Sequence, residues 1–273
     1  MNSSFKHSEQ ELSNISEQLI EARATGGSFS RFPGELPQTL ETAYRIQDLS
    51  ISKWSDQLVG WKVGGIPENL QKKFQEKWLS GPIYGKSIQH SDGKRVVEMP
   101  IFENGYAAIE AEFIIQLGDV SELPDVGITE NQLIDAIDKV FIGVEIASSP
   151  IQNINDLGPT APISDFGNNA GLLIGPEFKN WREIELSSIA VTATIDGETF
   201  GPTMTKPNLD GPIGATKFLI EQLKHRGHEI GVGTFVSTGA ITGVHHSNVG
   251  TQSKVSFDGV GEFDLRLVSN ISR

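Results

Sequence analysis

The feature that most constrains the fold is a pair of apolar segments that each carry acidic residues. Glu110 and Glu112 lie within residues 108–115, and Glu145 lies within residues 140–146. Both segments are rich in β-branched residues, which predicts two strands. Because side chains alternate along a strand, Glu110 and Glu112 face the same side. The sequence therefore places two carboxylates on one face of an apolar strand, with a third in another strand.

Carboxylates on one apolar face repel each other, and burial increases the cost. A hard divalent cation would remove this conflict, since Mg²⁺ and Mn²⁺ prefer oxygen ligands and leave coordination positions open for substrate. The competing interpretation is that the glutamates lie on a solvated face of the sheet. The pattern alone leaves both interpretations open.

The composition narrows the class of protein and the kind of site. The chain has 273 residues, a formal net charge of −13 and no cysteine. Its acidity argues against nucleic acid or anionic membrane as partners. The lack of cysteine excludes disulfides, thiolate metal sites and cysteine nucleophiles. The first nine residues are polar, without the apolar region of a signal peptide, so we expect a cytoplasmic protein.

The predicted architecture is a helical lobe on a β-rich, mixed-sheet body, in the α+β class. Residues 1–8 are expected to form a disordered tail, and residues 9–273 a single catalytic domain. Within this domain, residues 9–58 form the helical lobe and residues 59–273 form the metal-binding body. Residues 66–81 are expected to close over a ligand. Helical periodicity and capping residues predict helices at residues 9–25, 40–54, 130–139 and 213–225.

Lys62 is unusual because it lies in a short apolar strand between Gly60 and Gly64. An unpaired buried ammonium is costly. The side chain therefore either pairs structurally or extends to the surface, or it lies in a cleft where it binds a carboxylate or moves protons. The flanking glycines would let a ligand approach the backbone.

Two polar loops are further candidates for a substrate site. Thr238, Gly239 and Ala240 follow a strand and begin a run of small residues. Their amides and the threonine hydroxyl could bind a carboxylate or an oxyanion, or the run could be only a turn. Asp165 and Asn168 lie in a loop that is either a structural turn or part of the site.

His245 and His246 are adjacent, so in a strand they point to opposite sides. A metal site built from this histidine pair is therefore disfavoured. Either histidine could still act singly as an acid or a base.

Taken in order, these segments resemble the fumarylacetoacetate hydrolase superfamily, and within it the branch of 2-keto-4-pentenoate hydratases and 4-oxalocrotonate decarboxylases. The resemblance spans about residues 12–268. The segments that carry it are Leu19-Ile20-Glu21-Ala22-Arg23, Ala43-Tyr44-Arg45-Ile46-Gln47, Gly60-Trp61-Lys62-Val63-Gly64, Glu110-Ala111-Glu112-Phe113, Glu145-Ile146 and Ser237-Thr238-Gly239-Ala240 with Gly243. A third acidic residue that is Glu rather than Asp also resembles this branch.

The resemblance implies a fumarylacetoacetase-like body in which Glu110, Glu112 and Glu145 hold Mg²⁺ or Mn²⁺. It implies that Lys62 is the catalytic lysine and that the loop beginning at Thr238 lines the substrate pocket. The cation would stabilise an enolate formed from a 2-oxo acid, and this chemistry serves hydration, decarboxylation and C–C hydrolysis alike.

The leading functional prediction is hydration of a 2-hydroxy-2,4-dienoate by a homo-oligomeric enzyme of aromatic meta-cleavage catabolism. The alternatives are decarboxylation of a 2-oxo-enedioate such as 4-oxalocrotonate, hydrolysis of a C–C bond in an acylpyruvate, and an inactive partner subunit.

Two positions depart from the pattern of the hydratases. Lys86 ends the segment at residues 81–86, where many hydratases carry an acidic residue, and Asn168 stands where they carry serine. We expect Asp165 and Asn168 to bind substrate. A cationic Lys86 near the pocket predicts a second carboxylate on the substrate.

Overall fold

The computed structural model describes residues 7–270. The helices are α1 (Glu9–Thr25), α2 (Leu40–Lys53), α3 (Glu68–Phe74), α4 (Glu130–Ala136), α5 (Thr160–Ser164) and α6 (Pro212–His225). The strands are β1 (Leu58–Gly65), β2 (Trp78–Tyr84), β3 (Ile88–His90), β4 (Val97–Ile101), β5 (Tyr106–Leu117), β6 (Ile137–Ser149), β7 (Asn169–Glu177), β8 (Val191–Ile195), β9 (Glu198–Thr203), β10 (Phe235–Ser237), β11 (His245–His246), β12 (Gln252–Phe257) and β13 (Gly261–Ser269). A short 3-10 segment between α5 and β7, Phe166–Asn168, is called the 166–168 turn below.

The strands form two mixed sheets, which confirms the predicted α+β class. The larger sheet has the order β2-β1-β10-β5-β6-β7-β3, and β11 also pairs with β5. The smaller sheet has the order β4-β13-β12-β8-β9. Parallel pairs (β1 with β10, β3 with β7, β4 with β13) occur beside antiparallel ones. The long antiparallel pair β5–β6 lies inside the larger sheet and carries the acidic residues.

The main core lies where the two sheets pack together. Phe113 of β5 meets Phe257 of β12 edge to face, with ring centroids 5.2 Å apart. Both side chains, with Phe263 of β13, are fully buried. Burial of each such side chain stabilises the fold by about 2 kcal/mol. The strands that carry the acidic residues therefore rest on a rigid apolar layer.

The helical lobe packs on the opposite side of β5 and β6. Leu12, Ile15 and Leu19 form the buried face of α1, and Ile46 of α2 packs with them. Ser8 caps α1 through a capping box with Glu11. The predicted tail at residues 1–8 lies mostly outside the described residues, which begin at His7, so its disorder stays a prediction.

Helix α4 ends three residues earlier than the sequence pattern predicts. The predicted helix ran to Lys139, but the structure has strand β6 from Ile137 onward. The side chains of Val140 and Ile142 are buried in the sheet core, and this burial overrides local helical preference. Within residues 7–270, no helix combines the length and apolar character needed to cross a membrane.

Candidate active site

The three predicted acidic residues meet in the middle of the larger sheet. Glu110 of β5 and Glu145 of β6 are direct partners across the strand pair, and Glu112 lies two residues further along β5. One carboxylate oxygen from each lies within 4.8 Å of the others. Glu112 and Glu145 are fully buried and Glu110 is 7% exposed. The interpretation of a solvated sheet face is therefore wrong.

Neighbouring groups hold the carboxylates but leave oxygen atoms free. Asn169 Nδ2 donates to Glu145 Oε1 at 2.9 Å. The Gly239 amide donates to Glu112 Oε2 at 2.9 Å, and the Ser237 hydroxyl donates to the same oxygen. The other oxygen, Glu112 Oε1, is buried and has no hydrogen-bond partner among the described residues. Since an unsatisfied buried carboxylate oxygen is costly, this atom is suited to coordinate a cation.

Lys62 extends from β1 toward the same cluster. Its Nζ lies 3.3 Å from Glu145 Oε2, and its side chain is 6% exposed. A Cβ atom at Gly64 would lie only 2.9 Å from this Nζ, so the glycine leaves the space that the ammonium occupies. Lys62 thus pairs with a carboxylate and also lines a cleft that opens onto the cluster, and its predicted catalytic role stays a prediction.

The electrostatics of the cluster do not balance within the protein. Burial, with a contribution from Glu145, raises the pKa of Glu110 to about 7. Burial and the two neighbouring carboxylates raise the pKa of Glu112 well above its usual value. Burial by itself would lower the pKa of Lys62, but the three carboxylates outweigh it and raise that pKa. Fully ionised, three carboxylates and one ammonium leave two negative charges, which a divalent cation would match.

A cleft of about 220 Å³ opens onto this cluster. Among the residues that the structure describes, Lys62 and Glu110 are the only charged ones that line it. The other lining residues are apolar, glycine, or the amides Asn155 and Asn168. Pro67, which precedes α3, borders the cleft in the segment expected to act as a lid. The inner end of the cleft is therefore charged, whereas its outer part is lined by neutral residues.

Asn168 lines the cleft, and its predicted contact with substrate stays a prediction. Its Nδ2 is 3.5 Å from Asn155 Oδ1, and its own Oδ1 is buried without a hydrogen-bond partner among residues 7–270. The 166–168 turn approaches β2 closely, because a Cβ at Gly81 would lie 2.1 Å from the Phe166 carbonyl oxygen. Phe166, Gly167 and Asn168 all have positive φ angles (52°, 68° and 66°). The close backbone contact thus holds Asn168 beside Lys62 in a strained conformation.

Asp165 lies outside the cleft, in a buried ion pair. Its Oδ1 is 2.5 Å from Arg23 Nε, and its Oδ2 accepts hydrogen bonds from Ser149 and from Arg23 Nη2. Arg23 Nη1 also donates to the Asn169 carbonyl at 2.8 Å. In this structure Asp165 therefore holds the loop that carries Asn168 and Asn169, and its predicted contact with substrate stays a prediction.

Lys86 is likewise separate from the acidic cluster. It is exposed, and it lines a different cavity beside Trp54, Tyr84 and Phe166. The structure therefore does not bring Lys86 together with Lys62 and the glutamates in one cleft. Its predicted contact with substrate has no support from this placement.

The loop after β10 supports the carboxylates. The Thr238 hydroxyl donates to the Phe113 carbonyl at 2.8 Å, and the Gly239 amide binds Glu112. Gly239 has a φ of 104°, a conformation that favours glycine. The neighbouring Ala240 is half-buried. None of the three residues lines the cleft that contains Lys62, so their predicted contact with substrate stays a prediction.

The two histidines of β11 diverge, as their adjacency predicts. His245 stacks on Phe200 with ring centroids 4.1 Å apart, and burial lowers its pKa. His246 meets Tyr106 edge to face at 5.0 Å. Neither histidine lines the cleft that contains Lys62.

Several residues that shape the site were not predicted as site residues from the sequence. Ser237 and Asn169 bind carboxylates, and Arg23 fixes the loop before β7. Arg23 and Ser237 lie within segments that carry the family resemblance, and Asn169 directly follows the predicted Asn168, so a signal was available for all three. Asn155 lies in a segment without a recognisable sequence pattern, so only the three-dimensional structure shows that it lines the cleft.

Comparisons with known proteins agree with this arrangement. No family model matches the chain. It is 25% identical over 263 residues to a 4-oxalocrotonate decarboxylase of Pseudomonas putida, covering 93% of this chain and 96% of that protein. It is 25% identical over 237 residues to a 2-keto-4-pentenoate hydratase of Burkholderia vietnamiensis, covering 84% and 87%. These relatives confirm the resemblance to the hydratase and decarboxylase branch.

Solved structures share the fold. A 4-oxalocrotonate decarboxylase from Pseudomonas putida G7, complexed with magnesium and adipate, matches with a TM-score of 0.77 at 21% identity, covering 96% of this chain and 99% of that chain. A fumarylpyruvate hydrolase from Pseudomonas aeruginosa, in complex with Mn²⁺ and pyruvate, matches with a TM-score of 0.54 at 17% identity, covering 77% and 89%. The predicted mixed-sheet body is thereby confirmed.

Proposed function

We propose that this chain is a divalent-metal-dependent lyase that adds water to a 2-hydroxy-2,4-dienoate and yields a 4-hydroxy-2-oxo acid. The observation that carries the proposal is the buried group Glu110, Glu112 and Glu145 with Lys62 at the end of a cleft. Relatives named 2-keto-4-pentenoate hydratase and 4-oxalocrotonate decarboxylase, which cover most of the chain, support the same class of chemistry.

The three glutamates would hold the cation, which we propose to be Mg²⁺ or Mn²⁺. The free oxygen Glu112 Oε1 and the all-oxygen donor set favour such a hard ion. When bound, the cation supplies Lewis-acid stabilisation of negative charge on the oxygens of a 2-oxo acid. Solved structures of the same fold contain magnesium or Mn²⁺, which agrees with this choice.

Lys62 supplies the mobile proton of the site. In the metal-free protein the carboxylates raise the pKa of Lys62, so its Nζ carries a proton that it can donate. At 3.3 Å from Glu145 it is held at the inner end of the cleft. We propose that Nζ binds the acidic end of the substrate and donates a proton as charge develops there.

Asn168 is proposed to orient the water that adds to the substrate. Its Oδ1 is buried and lacks a donor among the described residues, so it can accept a hydrogen bond from a water molecule or from the hydroxyl of the product. Asn155 holds the other side of this amide group. The two amides thus suit a ligand whose outer part is polar but neutral.

The neutral outer cleft favours hydration over decarboxylation of a 2-oxo-enedioate. A second substrate carboxylate would be buried beside Pro67, Leu79 and uncharged neighbours, without a free cation among the lining residues. Such burial is costly when the charge is unpaired. Decarboxylation remains the second candidate, because a relative with that activity in its name matches over 93% of this chain.

A panel assay tests the proposal. The purified protein with Mg²⁺ or Mn²⁺ is given 2-hydroxypenta-2,4-dienoate, 4-oxalocrotonate and an acylpyruvate, and water addition, CO₂ and pyruvate are measured. Fastest turnover of the dienoate by water addition is expected. Faster release of CO₂ from 4-oxalocrotonate would replace hydration with decarboxylation, and metal binding without any turnover would favour an inactive partner subunit. Light scattering on the same sample tests the proposed homo-oligomer.

A further inference from the structure

A second cavity lies behind the 166–168 turn, between the helical lobe and the sheet. It has a volume of about 310 Å³, within the range of small-molecule sites. Its walls include Trp54 after α2, Tyr84 at the end of β2, and Phe166 of the 166–168 turn. Lys86 also lines this cavity and not the cleft that holds Lys62.

The cavity has an aromatic wall. The rings of Trp54, Tyr84 and Phe166 contact one another with centroids 5.2–5.8 Å apart, in tilted or edge-to-face arrangements. Phe102 adds a fourth ring, and the Arg23 guanidinium lies 5.5 Å from Phe102 and 5.0 Å from Phe166. Such a wall suits a planar aromatic ligand, because rings prefer offset or edge contacts with other rings.

The charges that line the cavity are positive. Among residues 7–270, Arg23 and Lys86 are the charged residues that line it, and none that lines it is acidic. Arg23 is already paired with Asp165, whereas no described residue forms an ion pair with the Lys86 ammonium. One available cation favours a ligand with one negative charge over a phosphate dianion.

Tyr84 provides an unused donor at the same place. The side chain is buried, and its hydroxyl has no hydrogen-bond partner among residues 7–270. Burial, with a smaller contribution from the Asp56 carboxylate, raises the pKa of Tyr84, so the hydroxyl keeps its proton and can donate to an anion. An unsatisfied buried hydroxyl needs an explanation, and a ligand oxygen would supply one.

We propose that this cavity binds an aromatic monocarboxylate, with the ring against Trp54 and Phe166 and the carboxylate between Lys86 and Tyr84. The site is distinct from the metal centre, and its occupant is not the substrate of the proposed reaction.

The cavity shares a wall with the metal centre, which makes it a site of regulation. Phe166 belongs to the same strained turn as Gly167 and Asn168, which line the active-site cleft. Asn169 lines the cavity and also donates to Glu145. A ligand that contacts Phe166 and Asn169 therefore acts on groups that hold the cleft and a metal-binding carboxylate, and it changes the affinity for the cation.

Calorimetric titration of the Mg²⁺-loaded protein with benzoate tests the site. We expect saturable binding of one benzoate per chain that weakens about tenfold in Lys86→Gln, through loss of the charge-assisted contact. Tyr84→Phe, which keeps the ring, is expected to weaken it several-fold. Lys94→Gln removes the same charge from an exposed lysine outside this cavity and is expected to have no effect. Benzamide and cyclohexanecarboxylate, which lack the charge or the aromatic ring, are expected to bind more weakly than benzoate.

Binding at the metal would be a different result. Glu112→Gln is expected to retain benzoate binding, because Glu112 does not line this cavity. Absence of binding to the unmodified protein, or binding lost in Glu112→Gln but kept in Lys86→Gln, would overturn the site. Saturable binding that leaves the Mg²⁺ dissociation constant unchanged would overturn the regulatory part. These readouts do not depend on turnover, so failure of the proposed hydratase activity would be seen separately.

Discussion

Two buried clusters of charged side chains lie close to the 166–168 turn, and they differ in how completely the protein satisfies their polar atoms. In the first, Arg23 and Asp165 carry opposite charges and nearly all of their polar atoms have partners. The second contains three carboxylates and only one ammonium, that of Lys62. One of its oxygens, Glu112 Oε1, has no hydrogen-bond partner among the described residues.

This difference separates a structural role from a functional one. Breaking a balanced, hydrogen-bonded pair leaves a buried charge, so such a pair is needed for the fold. An unbalanced cluster costs stability unless protons or a bound cation compensate it. The first cluster therefore positions the loop that holds Asn169, and the second is arranged for a divalent cation.

The largest expected effect comes from Glu112→Gln, which removes one charge at nearly constant shape. We expect activity with Mg²⁺ or Mn²⁺ to fall at least about a thousandfold, because the cation loses a ligand and its stabilisation of the reaction. The metal-free variant should be as stable as the unmodified protein or more so, since like charges repel in this cluster. Steady-state kinetics and denaturant unfolding measure both effects. Glu122→Gln, at an exposed position, is the control, and full activity of Glu112→Gln would contradict the metal role.

The opposite pattern is expected for Asp165→Asn. This change leaves the buried Arg23 without its partner charge and should lower the free energy of unfolding by about 3 kcal/mol. Glu98→Gln breaks an exposed ion pair with Arg266 and should cost less than about 1 kcal/mol. Urea unfolding compares the three proteins. Equal stabilities would show that the Arg23 cluster is not needed for the fold.

A divalent cation is expected to stabilise the protein through the second cluster alone. At about one hundred times its dissociation constant, Mg²⁺ or Mn²⁺ should raise the free energy of unfolding by about 2.7 kcal/mol. The same increment is expected in Asp165→Asn, and none in Glu112→Gln. Thermal unfolding with and without the cation gives the comparison. A shift that is equal in all three proteins would place the cation elsewhere.

The smallest expected effect is on the pH dependence of metal binding. The pKa of Glu110 lies at about 7 in the metal-free protein, so below pH 7 a cation must displace a proton there. Affinity for Mn²⁺ should fall by at least about tenfold per pH unit below pH 7. Calorimetry from pH 5 to pH 8 in two buffers would detect the released proton. An affinity that does not change over this range would contradict the raised pKa.

The same shift predicts the pH dependence of stability without metal. The folded state holds the Glu110 proton more tightly than the unfolded state, where the pKa is about 4.5. The stabilisation from this proton is therefore complete below about pH 4.5 and is lost as the pH rises toward about 7. Added metal should offset this loss above pH 7.

The sequence predicted the second cluster much better than the first. Glu110 and Glu112 are two residues apart in an apolar strand, so strand alternation alone places them together. Arg23 and Asp165 are separated by 142 residues, and nothing local to either residue indicates the other. A pair of this kind follows from how α1 packs against the loop before β7, which only the three-dimensional fold reveals.

Elements whose ends carry clear capping residues in the sequence were predicted at the correct positions. Helix α1 begins and ends at the predicted residues because a capping box precedes it and Gly26 terminates it in a left-handed conformation. Lys86 was expected near the substrate from its position in the sequence, but the direction in which β2 ends carries it to another cavity. Side-chain placement at the end of a strand depends on packing across the sheet, and sequence spacing does not contain that information.

Titration of the metal-free protein with Mn²⁺, followed by electron paramagnetic resonance of the free ion, tests directly whether the three glutamates form a metal site. We expect one tightly bound Mn²⁺ per unmodified chain, one in Asp165→Asn after correction for unfolded protein, and none in Glu112→Gln. Equal binding by the unmodified and Glu112→Gln proteins, or no binding by the unmodified chain, would contradict a metal site built from Glu110, Glu112 and Glu145.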